Sequence, residues 1–189
     1  MGIFDKLRNG AADVANKVAS ELKTGKETIT IARLPESLPE MKILPEAAMD
    51  TPFKTAALAV CALCAYAAEP KIGEEMLNFL RGPKGALNAH ELSFLKDRFA
   101  DEHYYIPFSY FKGATPDNDY TPDEPFVLEL TAGPYAYQNE GYAKLDLVSG
   151  GADTPRQIVL RKAGDGKWYF WDQFILVGIR EPKSKNPWA

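Results

Sequence analysis

The sequence predicts an α+β fold: about three or four helices toward the N-terminus, packed on a C-terminal antiparallel sheet of four to six strands. Three observations carry this. Apolar residues recur at helical spacing as far as Phe99. From Tyr104 onward the period shortens to that of a strand. The strand-like runs are joined by short Gly-, Pro- and Asp-bearing turns, which favour antiparallel neighbours over long crossovers.

The elements follow in order. Ile3, Leu7, Ala11, Val14, Val18 and Leu22 share one face of a helix over 3–23, with Lys6, Asp13, Lys17 and Glu21 on the other and Thr24-Gly25 as its stop. Thr28–Leu34 alternates and reads as a short strand. Pro35, Pro39 and Pro45 then make an irregular connection. A second helix starts at Asp50 or Thr51 as cap, with Pro52 in the first turn, where its missing N–H goes unmissed. It runs from Phe53 to Ala68, is apolar nearly all round, and is therefore expected to be central and buried. Pro70 stops it. Lys71–Arg81 is a further helix ended by Gly82-Pro83, and Asn88 with Glu91 opens the next with a capping box.

Tyr104–Phe111 is an aromatic run broken by Pro107, at most an edge strand or a bulged element. Residues 113–125 form a Pro/Asp-rich loop. Strands are expected at Phe126–Thr131, Tyr142–Val148, Gln157–Lys162 and Lys167–Trp171, the last pair joined by a Gly164-Asp165-Gly166 hairpin turn. Phe174–Ile179 is expected to close the sheet. The organisation is two-part: residues 1–46 hold the amphipathic helix, the short strand and the Pro-rich connection, and 47–189 form a single α+β domain.

Composition narrows the function classes. With 22 Lys and Arg against 26 Asp and Glu, the net charge of −4 speaks against a nonspecific nucleic-acid binder. The longest apolar stretch, Ala56–Ala68, is shorter than the about 20 residues of a bilayer span, so no transmembrane segment is expected. The start lacks the apolar core of a signal peptide, and Lys6 breaks a myristoylation pattern, so a cytoplasmic location is expected. The 3–23 helix carries a slight basic bias. It packs on its own domain or frays as a tail, with a membrane surface or a partner helix as the alternative.

No catalytic motif stands out. Cys61 and Cys64 form a CxxC in mid-helix among Ala, Val and Leu, where buried thiols are the better reading than a redox or zinc site. His90 and His103 are the only histidines; His90 reads as a solvated residue in the first turn of a helix, His103 as a pH-sensitive loop residue, and neither as catalytic. Asp117, Asp119, Thr121 and Asp123 resemble half a calcium loop, but Pro122 and Leu128 stand where its Gly and Glu belong. No metal and no cofactor is expected. Ser149–Arg156 is the most pointed segment: Gly150-Gly151 allows a nest of N–H groups that could cradle an anion and Arg156 can fork onto a carboxylate, but a tight connection between strands, with Asp153 or Arg156 pinning the turn, is the favoured reading. Aromatics are concentrated, with sixteen of the 22 at or after Tyr104. Strand alternation places Trp168 and Phe170 on one face and Tyr169 and Trp171 on the other, near Arg161 and Arg180. An Arg flanked by Trp and Tyr suits cation–π stacking.

The blocks Ser109–Pro122, Ser149–Arg156, Trp168–Trp171, Gly178–Pro182 and Pro187–Ala189 resemble an uncharacterised bacterial family labelled only as a domain of unknown function, over roughly 52–189. The resemblance implies a bacterial, cytoplasmic origin and carries over no catalytic residue. The expectation is a non-enzymatic module that binds an unknown protein or small molecule. Its residues are Asp153, Arg156, Arg161, Arg180, Trp168, Tyr169 and Trp171, with Tyr110, Tyr120 and Trp188 as further exposed-ring candidates. The alternatives are an enzyme of unfamiliar type using a cleft near Asp153 and Arg156, and a membrane-peripheral or scaffold role through 3–23.

Overall fold

The computed structural model describes residues 25–188; the helix expected over 3–23 lies outside them. Strand β1 (Gly25–Ile31) is followed by helices α1 (Leu38–Ile43), α2 (Pro52–Ala68), α3 (Pro70–Arg81) and α4 (Ala89–Phe99). Strands β2 (Phe126–Ala132), β3 (Tyr142–Leu147), β4 (Arg156–Lys162) and β5 (Trp168–Gln173) complete the chain. The strands form one sheet in the order β1-β2-β3-β4-β5, antiparallel throughout. The fold is α+β, as the change of period implies.

The helix starts obey local chemistry. The Thr51 hydroxyl accepts from the Lys54 N–H at 3.3 Å, with Pro52 as the first helical residue. Asn88 and Glu91 exchange both bonds of a capping box, each 2.9 Å long. Gly82, at φ +47°, ends α3 in a backbone conformation that side chains disfavour.

Three segments differ from expectation. The Pro35–Pro45 connection contains α1, because Ser37 caps it through the Glu40 N–H and Pro39 occupies the first turn, where proline is tolerated. Tyr104–Phe111 is no strand: His103–Tyr105 and Pro107–Tyr110 are 3-10 turns, and only Phe111 bridges to Leu128. Pro107, with no N–H to offer and a fixed φ, opens the second turn. Phe174–Ile179 does not close the sheet. Side chains satisfy its backbone instead: the Gln173 amide oxygen accepts from the Ile175 and Leu176 N–H groups, and Arg156 donates to the Val177 and Gly178 carbonyls. The fifth strand is β1, which pairs with β2 along its whole length.

The core lies between the sheet and the helices. Ile29, Leu128, Leu130, Leu145, Ile158, Leu160 and Phe170 project from one face and are buried. Helix α2 lies against this face and also against α3, so nearly every side is covered and no polar stripe is needed. The α2–α3 approach is close. A Cβ on Gly73 would overlap the backbone of Tyr66.

The outer edge of β5 is sealed from the helical layer. The Trp168 N–H donates to the Met49 carbonyl at 2.8 Å, and the buried Thr55 hydroxyl donates to the Trp168 carbonyl at 2.8 Å. Further along, the Lys84 ammonium donates to the Trp171 carbonyl. An edge strand exposes unpaired backbone groups, and these three bonds occupy three of those of β5.

Two outcomes follow for stability. Gly73→Ala pushes the added Cβ against the Tyr66 backbone and destabilises the protein by about 1–3 kcal/mol in chemical denaturation, reversing the usual gain of alanine in a helix. Thr55→Val keeps the shape but strands the Trp168 carbonyl, costing about 1–3 kcal/mol by the same measurement.

Candidate functional site

No residue pointing from the second face of the sheet is buried. At its β3–β5 end this face carries a ladder of directly opposed residues: Tyr142 on β3 against Arg161 on β4, and Arg161 against Tyr169 on β5. Trp171 joins them through a β-bulge. Leu160 pairs with Phe170 but Val159 pairs with Asp172, so β5 holds one residue too many at Trp171. A bulge re-aims a side chain. Here the indole stands edge-on to Tyr142, with ring centres 5.6 Å apart. The Arg161 guanidinium sits 4.6 Å from the Trp171 ring centre and 5.2 Å from that of Tyr142.

The second wall of the site is the 3-10 turn Gly82–Lys84 after α3. Gly82 lies so close to the Tyr169 ring that a Cβ there would overlap it. Lys84 places its ammonium 4.8 Å from the Trp171 ring centre and is 23% exposed in its side chain. Between the two walls opens a cleft of about 580 Å³, bordered by Lys84, Arg161, Lys162, Tyr169 and Trp171. Arg81 lies at its back. It forks onto Glu91 at 2.9 and 3.0 Å and also donates to the Gly85 carbonyl at 2.7 Å. Burial alone pushes the Glu91 carboxyl up. The Asn88 N–H, the Arg81 fork and Lys84 outweigh burial and hold it below the usual value. At the mouth, the Asp165 carboxylate accepts from the Tyr169 hydroxyl at 2.7 Å and from the Lys167 N–H at 3.0 Å. The bond to Asp165 raises the Tyr169 phenol and lowers the Asp165 carboxyl.

The structure brings Arg161, Tyr169 and Trp171 together and sends the other expected residues elsewhere. Trp168 is 5% exposed and faces the helices. Asp153 and Arg180 form an exposed ion pair at 2.6 Å, away from the cleft lining. Arg156 donates to the carbonyls of Thr154, Val177 and Gly178, clamping the C-terminal segment rather than presenting a free fork. The Gly150-Gly151 turn is close packing: a Cβ on Gly150 would overlap the Ala114 carbonyl, and one on Gly151 the Tyr120 hydroxyl. Its polar interior is satisfied from within, Ser149 donating to Ser109 at 2.8 Å.

Tyr110 and Tyr120 are buried, donating to the carbonyls of Ile175 and Arg180, and burial pushes the Tyr120 phenol up to about 12. Trp188 is exposed near the end of the chain. Burial pushes the Cys61 thiol up to about 12 and that of Cys64 well above its ordinary value. Asp117 pairs with Lys183, and Asp119 accepts from Ser184 at 2.6 Å. Among the described residues no three His, Cys, Asp or Glu side chains gather closely enough to hold a metal ion, and no helix is long and apolar enough to cross a membrane.

Lys84, Tyr142 and Lys162 border or build the site and escaped the sequence reading. The alternation of β3 puts Tyr142 on the polar face beside Lys144 and Asp146, an available signal. Lys84 left none, since its place depends on the packing of α3 against the edge of β5.

Beside the same strand lies a second hollow of about 370 Å³, lined by apolar side chains of α2, α3 and α4 with Phe170 and Phe174, by the polar His90, Glu91 and Asp172, and by Arg81 and Trp171, which it shares with the cleft.

A family model described as "Domain of unknown function (DUF6935)" matches residues 33–183. No curated protein and no solved structure matches the chain. The matched span covers α1–α4 and β2–β5, and with them the whole cleft.

The Glu91 carboxyl gives the site a pH signature. Its folded value lies below the unfolded one, so its contribution is present at neutral pH and is lost as pH falls below the ordinary carboxylate range. Denaturation midpoints measured down that range drop more steeply for the parent protein than for Glu91→Gln, which starts lower at neutral pH and flattens the slope.

Proposed function

The chain belongs to the DUF6935 family, whose description names no activity, and we propose that it is a non-enzymatic binding module that engages its ligand through the outer sheet face around Trp171. One observation carries the reading. Arg161, Trp171 and Tyr142 stack on a face that no other element of the described chain buries, beside a cleft of about 580 Å³. That volume falls within the range of small-molecule sites, about 300–1,000 Å³. Tyr142, Tyr169 and Trp171 are half-buried, and Trp, Tyr and Arg are the side chains enriched at the energetic centres of recognition surfaces.

The same geometry weighs against the enzymatic alternative near Asp153 and Arg156. The Asp153 carboxylate is held by Arg180, and Arg156 donates four hydrogen bonds within its own segment and the C-terminal loop. Neither is left poised over a cleft for proton transfer or nucleophilic attack.

Titration of isotope-labelled full-length protein with a mixed set of small fragments (neutral aromatics, sugars, carboxylates and phosphonates) tests the reading by amide and indole shifts. The largest shifts are expected at 82–84, 161–164 and 168–171, and to vanish in Trp171→Leu and in Arg161→Gln. Shifts that concentrate in the hollow beside α4, at Asp153–Arg156 or nowhere overturn it.

A further inference from the structure

We infer that the ligand of this cleft is a small polyanion, a phosphate ester or diphosphate carrying at least two negative charges, and this rests on the binding reading above. The argument is one of charge and of which groups are already satisfied. Lys84 and Arg161 border the cleft together with Arg81, and no carboxylate lines it; Lys162 also borders it, but its ammonium lies 5.8 Å from the centre of the Trp168 ring, on the other face of the strand pair. Arg81 is neutralised: Glu91 meets its fork at 2.9 and 3.0 Å. The same Glu91 stands 3.6 Å from Lys84, beyond hydrogen-bond length, and cannot cancel a second cation as well. Asp165, the nearest acid at the mouth, already accepts from Tyr169 and from the Lys167 backbone. Among the described residues Arg161 and Lys162 have no ion-pair partner.

The aromatic rings explain how this excess of positive charge is tolerated. The Trp171 ring faces two cations at once, Arg161 at 4.6 Å and Lys84 at 4.8 Å from its centre, and Tyr142 supports Arg161 from the side. Cation–π contact holds a guanidinium in place without consuming its in-plane N–H donors. Arg161 is therefore oriented and still able to fork onto two oxygens. Lys84 is likewise fixed, by its bond to the Trp171 carbonyl, and shares the single Glu91 charge with Arg81, which leaves an excess of positive charge. The rings serve as a platform for cations rather than as a stacking surface for a ligand, since Trp171 already meets Arg161, Lys84 and Tyr142, and Tyr169 lies against Gly82. A neutral sugar or a neutral aromatic would find little free ring. A single carboxylate would leave most of the positive charge unmatched. A diphosphate or sugar phosphate meets the Arg161 fork and the Lys84 ammonium together.

Inorganic pyrophosphate is the probe. It is titrated into full-length labelled protein at constant ionic strength, with sulfate and acetate as competitors of lower charge. Shifts are expected at Lys84 and Arg161, with affinity at least about tenfold above that for acetate. Arg161→Gln and Lys84→Met are each expected to weaken binding about tenfold, the loss of one charge-assisted contact, while Lys71→Gln on the exposed side of α3 leaves it unchanged. Arg161 is exposed and makes no structural bond, so its variant stays informative if Lys84→Met fails to fold. Equal loss with Lys71→Gln, or equal affinity for acetate, overturns the assignment. So does binding to phosphatidylglycerol vesicles that Arg161→Gln abolishes and free pyrophosphate does not compete, which would make the ligand a membrane surface. Neutral fragments that map to the cleft while pyrophosphate does not would sink the polyanion and leave the binding reading standing. A cleft silent to every probe removes both.

Discussion

Sealing of the β5 edge by the helical layer is the constraint from which the rest of the architecture follows. Trp168 gives its N–H to Met49 and takes the Thr55 hydroxyl on its carbonyl, and all three residues are buried. These bonds lock the start of α2 to the last strand, two elements more than a hundred residues apart in sequence. With α2 anchored there, its apolar surface fills the inner face of the sheet on one side and receives α3 on the other. Such bonds are individually modest, but leaving buried backbone groups unpaired is expensive, so the register of helix against strand is tightly held.

The position of the cleft is a consequence. Helix α3 turns off α2 at Pro70 and packs along it with glycine contact at Gly73, which carries the Gly82–Lys84 turn to the exposed flank of β5. There the turn meets Tyr169 and Trp171 from outside while α2 meets Trp168 and Phe170 from inside. The strand is thus enclosed on one face and half open on the other. The bulge at Trp171 adds the local twist that brings the indole under both Arg161 and Lys84. Positive charge gathers on this flank in a chain whose net charge is negative, a separation that composition alone conceals.

The Ser149–Arg156 segment illustrates a different use of polar residues. It holds a C-terminal tail that has no strand to join. Arg156 and Tyr120 reach carbonyls of Val177, Gly178 and Arg180, Tyr110 reaches that of Ile175, and Gly150 and Gly151 let the turn come close enough for this. Polar side chains replace the ladder that a sixth strand would have supplied, and the turn-forming glycines and the forking Arg act as a clasp.

What the sequence determined by itself is what depends on neighbours along the chain. The capping box at Asn88, the proline starts, the all-apolar Phe53–Ala68 helix and the alternation of four strands are local patterns, and the fold class follows from their order. Alternation also separated Trp168 from Tyr169 correctly, since side chains of successive strand residues must point to opposite faces. Tertiary structure decided the rest: that β1 rather than Phe174–Ile179 completes the sheet, that Tyr110 and Tyr120 are core, and that Lys84 and Tyr142 stand beside Arg161. Each of these depends on strand register and on which edge a helix covers. Those are set by hydrogen bonds and packing between segments far apart in the chain, and no local spacing encodes them.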